Sequence, residues 1–293
     1  WADLFAFQIE EFGATPGGTT EVTDGGPLLS DIDEVLYGLY THFKVYKGVV
    51  FEPYGIARAR SIEHNDTTAT KNGEQRYTAG FRLDGRNIEG LGGLDFTIEP
   101  AWQFGKVEGL RAAGTGGAAD LSANGNAVGS ILGHNESQVI QAWAIHAETG
   151  YTFKQIPWTP RIGYAYSFAS GDDRLGTGAA KTFDHLYPTA HAHNGYMDIV
   201  SWQNIVDHQI HFSVKPTKKL GIDVKAHIFS LDEEADAWYG VAGGTGYGGG
   251  RVVTRTGADL FTNTAGVAES VDDDLGQEID LTVSYNLFKN FGV

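Results

Sequence analysis

Hydrophobic and polar residues alternate with a period of two along most of the chain, which is typical of β-strands with one apolar and one polar face. About ten such segments occur, near residues 1–10, 34–46, 49–60, 75–87, 93–106, 138–154, 160–170, 207–216, 219–231 and 277–288. Each has close to the roughly 9 to 11 residues, or somewhat more, that a tilted strand needs to cross a bilayer. The pattern therefore predicts an all-β protein with long strands.

The connections between these segments alternate between long and short. Long or medium polar connections are predicted at 11–33, 61–74, 107–137, 171–206 and 232–276, and short turns at 47–48, 88–92, 155–159 and 217–218. An up-and-down barrel of the outer membrane has this rhythm, because its long loops face the outside and its short turns face the periplasm. We therefore predict an antiparallel up-and-down transmembrane β-barrel.

Alternation alone does not show which face of the strands meets water. Three features favour lipid on the apolar face: aromatic residues gather near strand ends, the polar face carries many charges, and the long loops are acidic while the short turns are basic. We expect seven apolar positions to face lipid, namely Phe81, Phe96, Trp143, Tyr164, Phe212, Val224 and Leu281.

Composition excludes several classes of function. The chain has no Cys, which removes disulfides, thiolate zinc sites and cysteine nucleophiles, and its net charge of -16 argues against a nucleic-acid partner. No apolar run approaches the roughly 18 to 20 residues of a membrane-spanning helix. Because the chain begins at Trp1 without an initiator Met, we expect a processed chain or a fragment.

Several motifs resemble those of the alginate export family. They are AWAIHAETGYTF at 142–153, PRIGYAYSFASGDD at 160–173, TFDHLYPTAHAHNGYMDIVSWQNI at 182–205 and the segment 214–239, which ends in DAWY. The resemblance implies an outer-membrane barrel of a Gram-negative bacterium, with about eighteen strands, that passes an anionic polysaccharide such as alginate or another solute. Because about ten strands are visible, we expect residues 1–293 to be a single barrel domain and an interior fragment of a longer chain.

The polar faces supply the candidate pore-lining residues. Strand parity places ten charged side chains toward the lumen, namely Lys44, Arg58, Arg60, Arg76, Arg82, Asp95, Glu99, Arg161, Lys215 and Lys225. Four of them, Arg58, Arg60, Arg76 and Arg82, form a predicted basic arc that selects anionic solutes through bidentate guanidinium contacts. The alternative is that these arginines pair across strands with nearby carboxylates and stiffen the wall.

Two functions remain open. The protein is either a porin-like channel for passive transport or a structural barrel that docks or sheathes another protein component without solute flux. An enzyme is not expected, because neither Ser170 nor Ser201 stands in a nucleophile motif. The expected partners are membrane lipid and a polysaccharide or small anion, with protein partners in an outer-membrane assembly as a further possibility.

Metal and cofactor sites are weakly indicated. His185, His191 and His193, with Asp184 and Asp198, suggest a zinc or copper site, whereas a loop without a metal role is the stronger interpretation. The acidic runs 232–236 and 272–274 suit Ca²⁺, but solvated surface charge is the stronger explanation. The glycine-rich stretch 244–250 lacks the context of a nucleotide loop. We expect no cofactor and no metal.

Overall fold

A computed structural model describes residues 1–9, 32–62, 72–107, 137–173, 178–187, 193–234, 236, 238–240, 250–256, 260–262, 268–270 and 273–286. Within these ranges the chain forms fifteen β-strands: β1 (Ala2–Ile9), β2 (Ile32–Thr41), β3 (Phe43–Tyr46), β4 (Val49–Ile62), β5 (Asn72–Gly85), β6 (Leu94–Val107), β7 (Gln138–Thr152), β8 (Arg161–Ala169), β9 (Ile205–Val214), β10 (Leu220–Ser230), β11 (Trp238–Gly240), β12 (Gly250–Thr256), β13 (Leu260–Thr262), β14 (Ala268–Ser270) and β15 (Asp274–Tyr285). No helix in the described part of the chain is long and apolar enough to cross a membrane.

The large sheet is an antiparallel meander. Its order is β1-β2-β4-β5-β6-β7-β8-β9-β10-β15, with β3 paired beside it to β4. Every one of the ten predicted segments lies in this sheet, so the prediction of an all-β antiparallel wall is confirmed. In the described chain β1 and β15 form the two edges of the sheet and do not pair with each other.

The connection predicted at 232–276 differs from expectation. It contains β11, β12, β13 and β14, which form a separate four-stranded sheet. The alternation analysis missed these strands because they have only 3 to 7 residues, too few for a period of two to stand out in a glycine-rich segment.

The polarity of the two faces of the large sheet is the reverse of that in a soluble protein. The outer face is apolar and exposed: Trp143 is 44% and Leu281 is 65% exposed, and Tyr164 and Phe212 are exposed beside them. Phe81, Phe96 and Val224 are half-buried and lie on the same face by register. The inner face instead buries polar side chains, among them Glu34, Arg58, Thr78, Gln103 and Gln209. This arrangement fits a wall with lipid outside and polar contents inside.

Residues 178–187 and 193–204, which we call the covering segment, lie over part of the inner face. Ala180 pairs with β7 above the end of β8, through Gln141 N–H to Ala180 O at 2.9 Å and Ala180 N–H to Val139 O at 2.9 Å. Phe183 and Val200 then pack into a buried cluster with small wall residues such as Ala101, and with Ala142, Ala144, Ala169 and Phe229. Small side chains on the wall thus let an irregular segment lie close to the strands.

Candidate lumen-lining site

Two buried arginines lie opposite each other where β4 and β5 pair, in what we call the inner arginine cluster: Arg58, Glu74, Arg76, Gln103 and Asp184. Register places Arg58 directly opposite Arg76, an arrangement that like charges alone would oppose. Glu74 resolves the conflict, because its Oε1 accepts from Arg58 Nη2 at 2.6 Å and from Arg76 Nε at 2.8 Å. Gln103 on β6 accepts from Arg76 Nη1 at 2.8 Å.

Asp184 completes this cluster from the segment that covers the inner face. Its carboxylate accepts a short hydrogen bond from Arg58 Nη2 and lies 3.5 Å from Arg76 Nε. Its backbone is fixed by Gln103, which accepts from Asp184 N–H at 2.9 Å and donates to Asp184 O at 2.7 Å. The Asp184 carboxylate, on an irregular segment, is therefore held between the buried guanidinium groups of Arg58 and Arg76.

Arg58 itself is 1% exposed. Its Nε and Nη1 have no hydrogen-bond partner among the described residues. A buried guanidinium with unused donors is costly unless opposite charges surround it. The carboxylates of Glu74 and Asp184 therefore compensate the buried positive charge of Arg58.

A second charged group surrounds Glu52 on β4. This carboxylate accepts from Tyr40 OH at 3.0 Å and Arg82 Nη1 at 3.3 Å, and lies 2.7 Å from His42 Nδ1. Arg82 also donates to Asp84 at 3.1 Å. Because Arg82 is six positions from Arg76 along β5, about 20 Å at 3.3 Å per residue, these arginines belong to different ends of the wall.

A third charged group joins three strands at the rim formed by the short turns. Arg161 on β8 binds Asp95 on β6 with two contacts, at 2.9 and 2.5 Å, and Glu148 on β7 at 2.7 Å. Gly150 and Gly163 lie opposite each other in register beneath its guanidinium, where a Cβ would come within 2.3 and 2.8 Å of it. Because glycine has no side chain, the guanidinium of Arg161 can lie directly against the backbone of β7 and β8.

A polar cavity of about 320 Å³ opens beside this third group. Arg161, Asp95 and Glu148 line it together with Arg86 and Lys154 from the neighbouring turns. Basic and acidic side chains are almost balanced here, so the cavity presents donors and acceptors rather than a strong field of one sign.

The other predicted pore-lining residues lie apart from these groups. Glu99 accepts from Tyr54 OH at 3.1 Å, and Lys225 is half-buried opposite Asp280. Lys44 and Lys215 are exposed at the short-turn end. The side chain of Arg60 lies outside the described residues. The predicted arc therefore divides: Arg58 and Arg76 meet, whereas Arg82 stands with Glu52.

Sequence reasoning missed Glu74, Gln103 and Asp184 as members of the inner arginine cluster. Parity supplies a signal for Glu74 and Gln103, because they share the inner face with Arg76 and Thr78. For Asp184 the only signal is the FDHLYPT motif, since its contact with Arg58 spans 126 residues.

The histidines and acidic runs have structural partners. His185 Nδ1 accepts from Trp202 N–H at 3.1 Å, and burial lowers the pKa of His185 to about 4. His193 stacks near His146 with ring centroids 5.0 Å apart, while His191 lies outside the described residues. No group of three or more potential ligand side chains in the described ranges is arranged to hold a metal ion.

The acidic run 232–236 is used for loop contacts. Asp232 accepts from Gly171 N–H at 2.9 Å, and Asp236 accepts from Asp172 N–H at 3.1 Å and Tyr239 OH at 2.8 Å. Of the run 272–274, Asp272 lies outside the described residues. The DAWY motif at 236–239 thus anchors β11 to the covering segment, where Trp238 Nε1 donates to Ile199 O at 2.9 Å.

Comparison with known proteins adds one family. The family described as alginate export matches residues 29–293, a range that includes every strand of the large sheet except β1. No curated protein matches the chain.

Proposed function

The chain belongs to the alginate export family, a family of outer-membrane transport barrels, and from this premise we propose that it conducts an anionic or polar solute across the outer membrane. A uronate polysaccharide such as alginate is the proposed solute. The inverted sheet, with apolar residues outside and buried polar residues inside, supports passage along the inner face.

The inner arginine cluster is the observation that carries the anion preference. Asp184 presents a carboxylate to Arg58 and Arg76 from a segment that is not part of the wall. A uronate carboxylate has the same charge and the same two acceptor oxygens, so it suits the same donors. The cluster therefore already holds the chemical group that we propose the solute to carry.

The other charged groups make the preference mild. Arg82 and Arg161 are each held by two carboxylates, so neither presents an isolated positive charge. A solute can exchange between such sites because none binds it strongly, and conduction requires this compromise. We expect a modest anion selectivity rather than exclusion of cations.

Replacing Arg76 and Arg82 by Ser tests this proposal in planar bilayers. The reversal potential in a salt gradient should move toward cation preference, and block by an oligouronate should weaken by about tenfold. Lys218→Ser, which removes an exposed charge in the turn between β9 and β10, is the matched control and should change neither. Unchanged selectivity and block in the double variant would leave these arginines as ion pairs that stiffen the wall.

A structural barrel without flux is the second candidate. It is favoured by the segment 178–204, which covers the inner face over β7 to β9 and buries Phe183 and Val200 there. A barrel that remains silent in bilayers but co-purifies with a protein component would support this function.

A further inference from the structure

Aromatic rings follow the inner face near the short-turn end, in what we call the aromatic track: Trp1, Phe5, Tyr40, His42 and Tyr54. Parity places these residues on the inner face, since Tyr54 is opposite Gly80 and Phe5 is opposite Gly38. Rings on the outer face are expected in lipid, whereas rings that line an aqueous lumen need another explanation.

Four of the five rings, those of Trp1, Tyr40, His42 and Tyr54, lie nearly parallel to their neighbours. Tyr40 and Tyr54 have centroids 5.9 Å apart with planes inclined by 9°, and Trp1 and His42 have centroids 5.0 Å apart with planes inclined by 7°. Trp1 and Tyr40 join the two pairs at 6.2 Å and 25°. These four rings form a continuous stacked series across the first strands of the wall, and Phe5 lies on β1 beside them.

Two of these rings pack directly over glycines of the neighbouring strands. A Cβ at Gly38 would lie 2.0 Å from Phe5 Cζ, and a Cβ at Gly80 would lie 2.6 Å from Tyr54 Cζ. Each ring therefore rests directly on the backbone, a position that any side chain beneath it would prevent. Phe5 keeps 37% of its surface exposed. One face of the ring is against the wall and the other is open.

The polar edges of the track are fixed by charged side chains. Tyr40 OH donates to Glu52 at 3.0 Å and Tyr54 OH donates to Glu99 at 3.1 Å, while Arg82 lies 3.3 Å from Glu52. These contacts immobilise the phenol rings, so a ligand that stacks on them loses little additional side-chain freedom. They also place acceptors and a guanidinium beside the open ring faces.

We propose that the aromatic track binds pyranose rings of a saccharide, by contact of their C–H faces with the aromatic faces. An aromatic face is electronegative and attracts the weakly positive C–H groups of a sugar, while Glu52, Glu99 and Arg82 meet the hydroxyls at the sugar's edge. A purely hydrocarbon ligand would exclude water from these charged groups without offering hydrogen bonds in its place, which is unfavourable. The site rests on the proposed function for its aqueous lumen, but it recognises the sugar ring itself and not its charge.

Binding of a neutral mannose oligosaccharide and of the corresponding mannuronate oligosaccharide to the detergent-solubilised full chain tests this inference. The two probes differ only at the sixth carbon, so binding of the neutral probe isolates ring stacking. We expect the neutral probe to bind, with saturation-transfer NMR from aromatic protons reaching its axial C–H protons most strongly. Absence of neutral binding would overturn the inference.

Matched variants locate the site. Phe5→Ala and Tyr40→Ala should each weaken neutral-probe binding by about tenfold, whereas Tyr40→Phe keeps the ring and should bind within about twofold of wild type. Tyr77→Ala removes a tyrosine from the outer face and should have no effect. Equal affinity in all four variants would refute the assignment. Gly80→Ala, which retains every ring but displaces that of Tyr54, should also weaken binding.

The two proposals fail separately. If neutral binding is lost in Phe5→Ala while the bilayer selectivity of wild type shows no anion preference, the aromatic track stands and the anion preference falls. If selectivity follows Arg76 and Arg82 but the neutral probe does not bind, the channel stands and the aromatic track is only wall packing.

Discussion

The inner face has two halves that handle charge differently. In the half near the long loops, Arg58 and Arg76 are buried beneath the segment that carries Asp184. In the half near the short turns, Arg82 and Arg161 keep 34% and 20% of their side-chain surface exposed beside the aromatic track and the cavity. The same residue type is therefore enclosed by carboxylates beneath the covering segment in one half and partly exposed in the other.

The largest expected effect is on folding, at Arg58. Arg58→Ala removes the buried guanidinium that both Glu74 and Asp184 contact, which should cost about 3 to 5 kcal/mol. Arg82→Ala, the half-exposed counterpart, should cost less than about 1 kcal/mol. Urea unfolding in detergent micelles measures both. Equal losses for the two variants would remove the distinction between the halves.

Asp184→Asn changes the covering segment without removing its side chain. The neutral amide weakens the contact with Arg58 and Arg76 but leaves the backbone contacts with Gln103 in place. We expect a reversal-potential shift toward anions and a conductance that rises by about twofold, because two guanidinium groups lose a counter-charge. A shift toward cations would contradict the assignment of Asp184 as the counter-ion.

Gly163→Ala probes the half near the short turns. The added Cβ would come 2.8 Å from Arg161 Nη1, and the flexible guanidinium can move away. We expect a loss of only about 1 kcal/mol, together with weaker pairing of Arg161 with Asp95. Gly178→Ala, where a Cβ would meet nothing within 4 Å but the backbone φ is +78°, separates backbone strain from this collision. A loss above about 3 kcal/mol at Gly163 would show that the guanidinium cannot move.

The smallest effect concerns pH at His185. Its folded pKa of about 4 lies below the unfolded value of about 6.5, so the unfolded state binds more protons between these limits. The contribution of His185 is fully present above about pH 6.5 and is lost as the pH falls toward 4. Proteolysis of the segment 178–204 should therefore accelerate in this window, and His185→Gln should flatten the dependence. An equally steep dependence in the variant would assign it to another group.

The strands of the large sheet were predictable from the sequence, whereas the segment that lies against their inner face was not. Alternation located every strand of the eleven-stranded sheet, with β2 and β3 taken as one segment, because each strand separates lipid from the lumen and must repeat that difference at every second residue. Parity also placed Arg58 and Arg76 on the inner face. It did not predict Asp184, because an irregular segment has no period and its position depends on packing across 126 residues.

The alanines beneath the covering segment have a consequence for the shape of the passage. Ala101, Ala142 and Ala144 let Phe183 lie close against the wall. The same segment then extends along the inner face: Tyr187 donates to Glu34 on β2 and packs against Phe7 on β1, and Met197 N–H donates to Glu278 on β15. A polymer travelling along the inner face would therefore meet this segment from the first strands of the sheet to the last, and the width left to it depends on how closely the segment lies against the alanines.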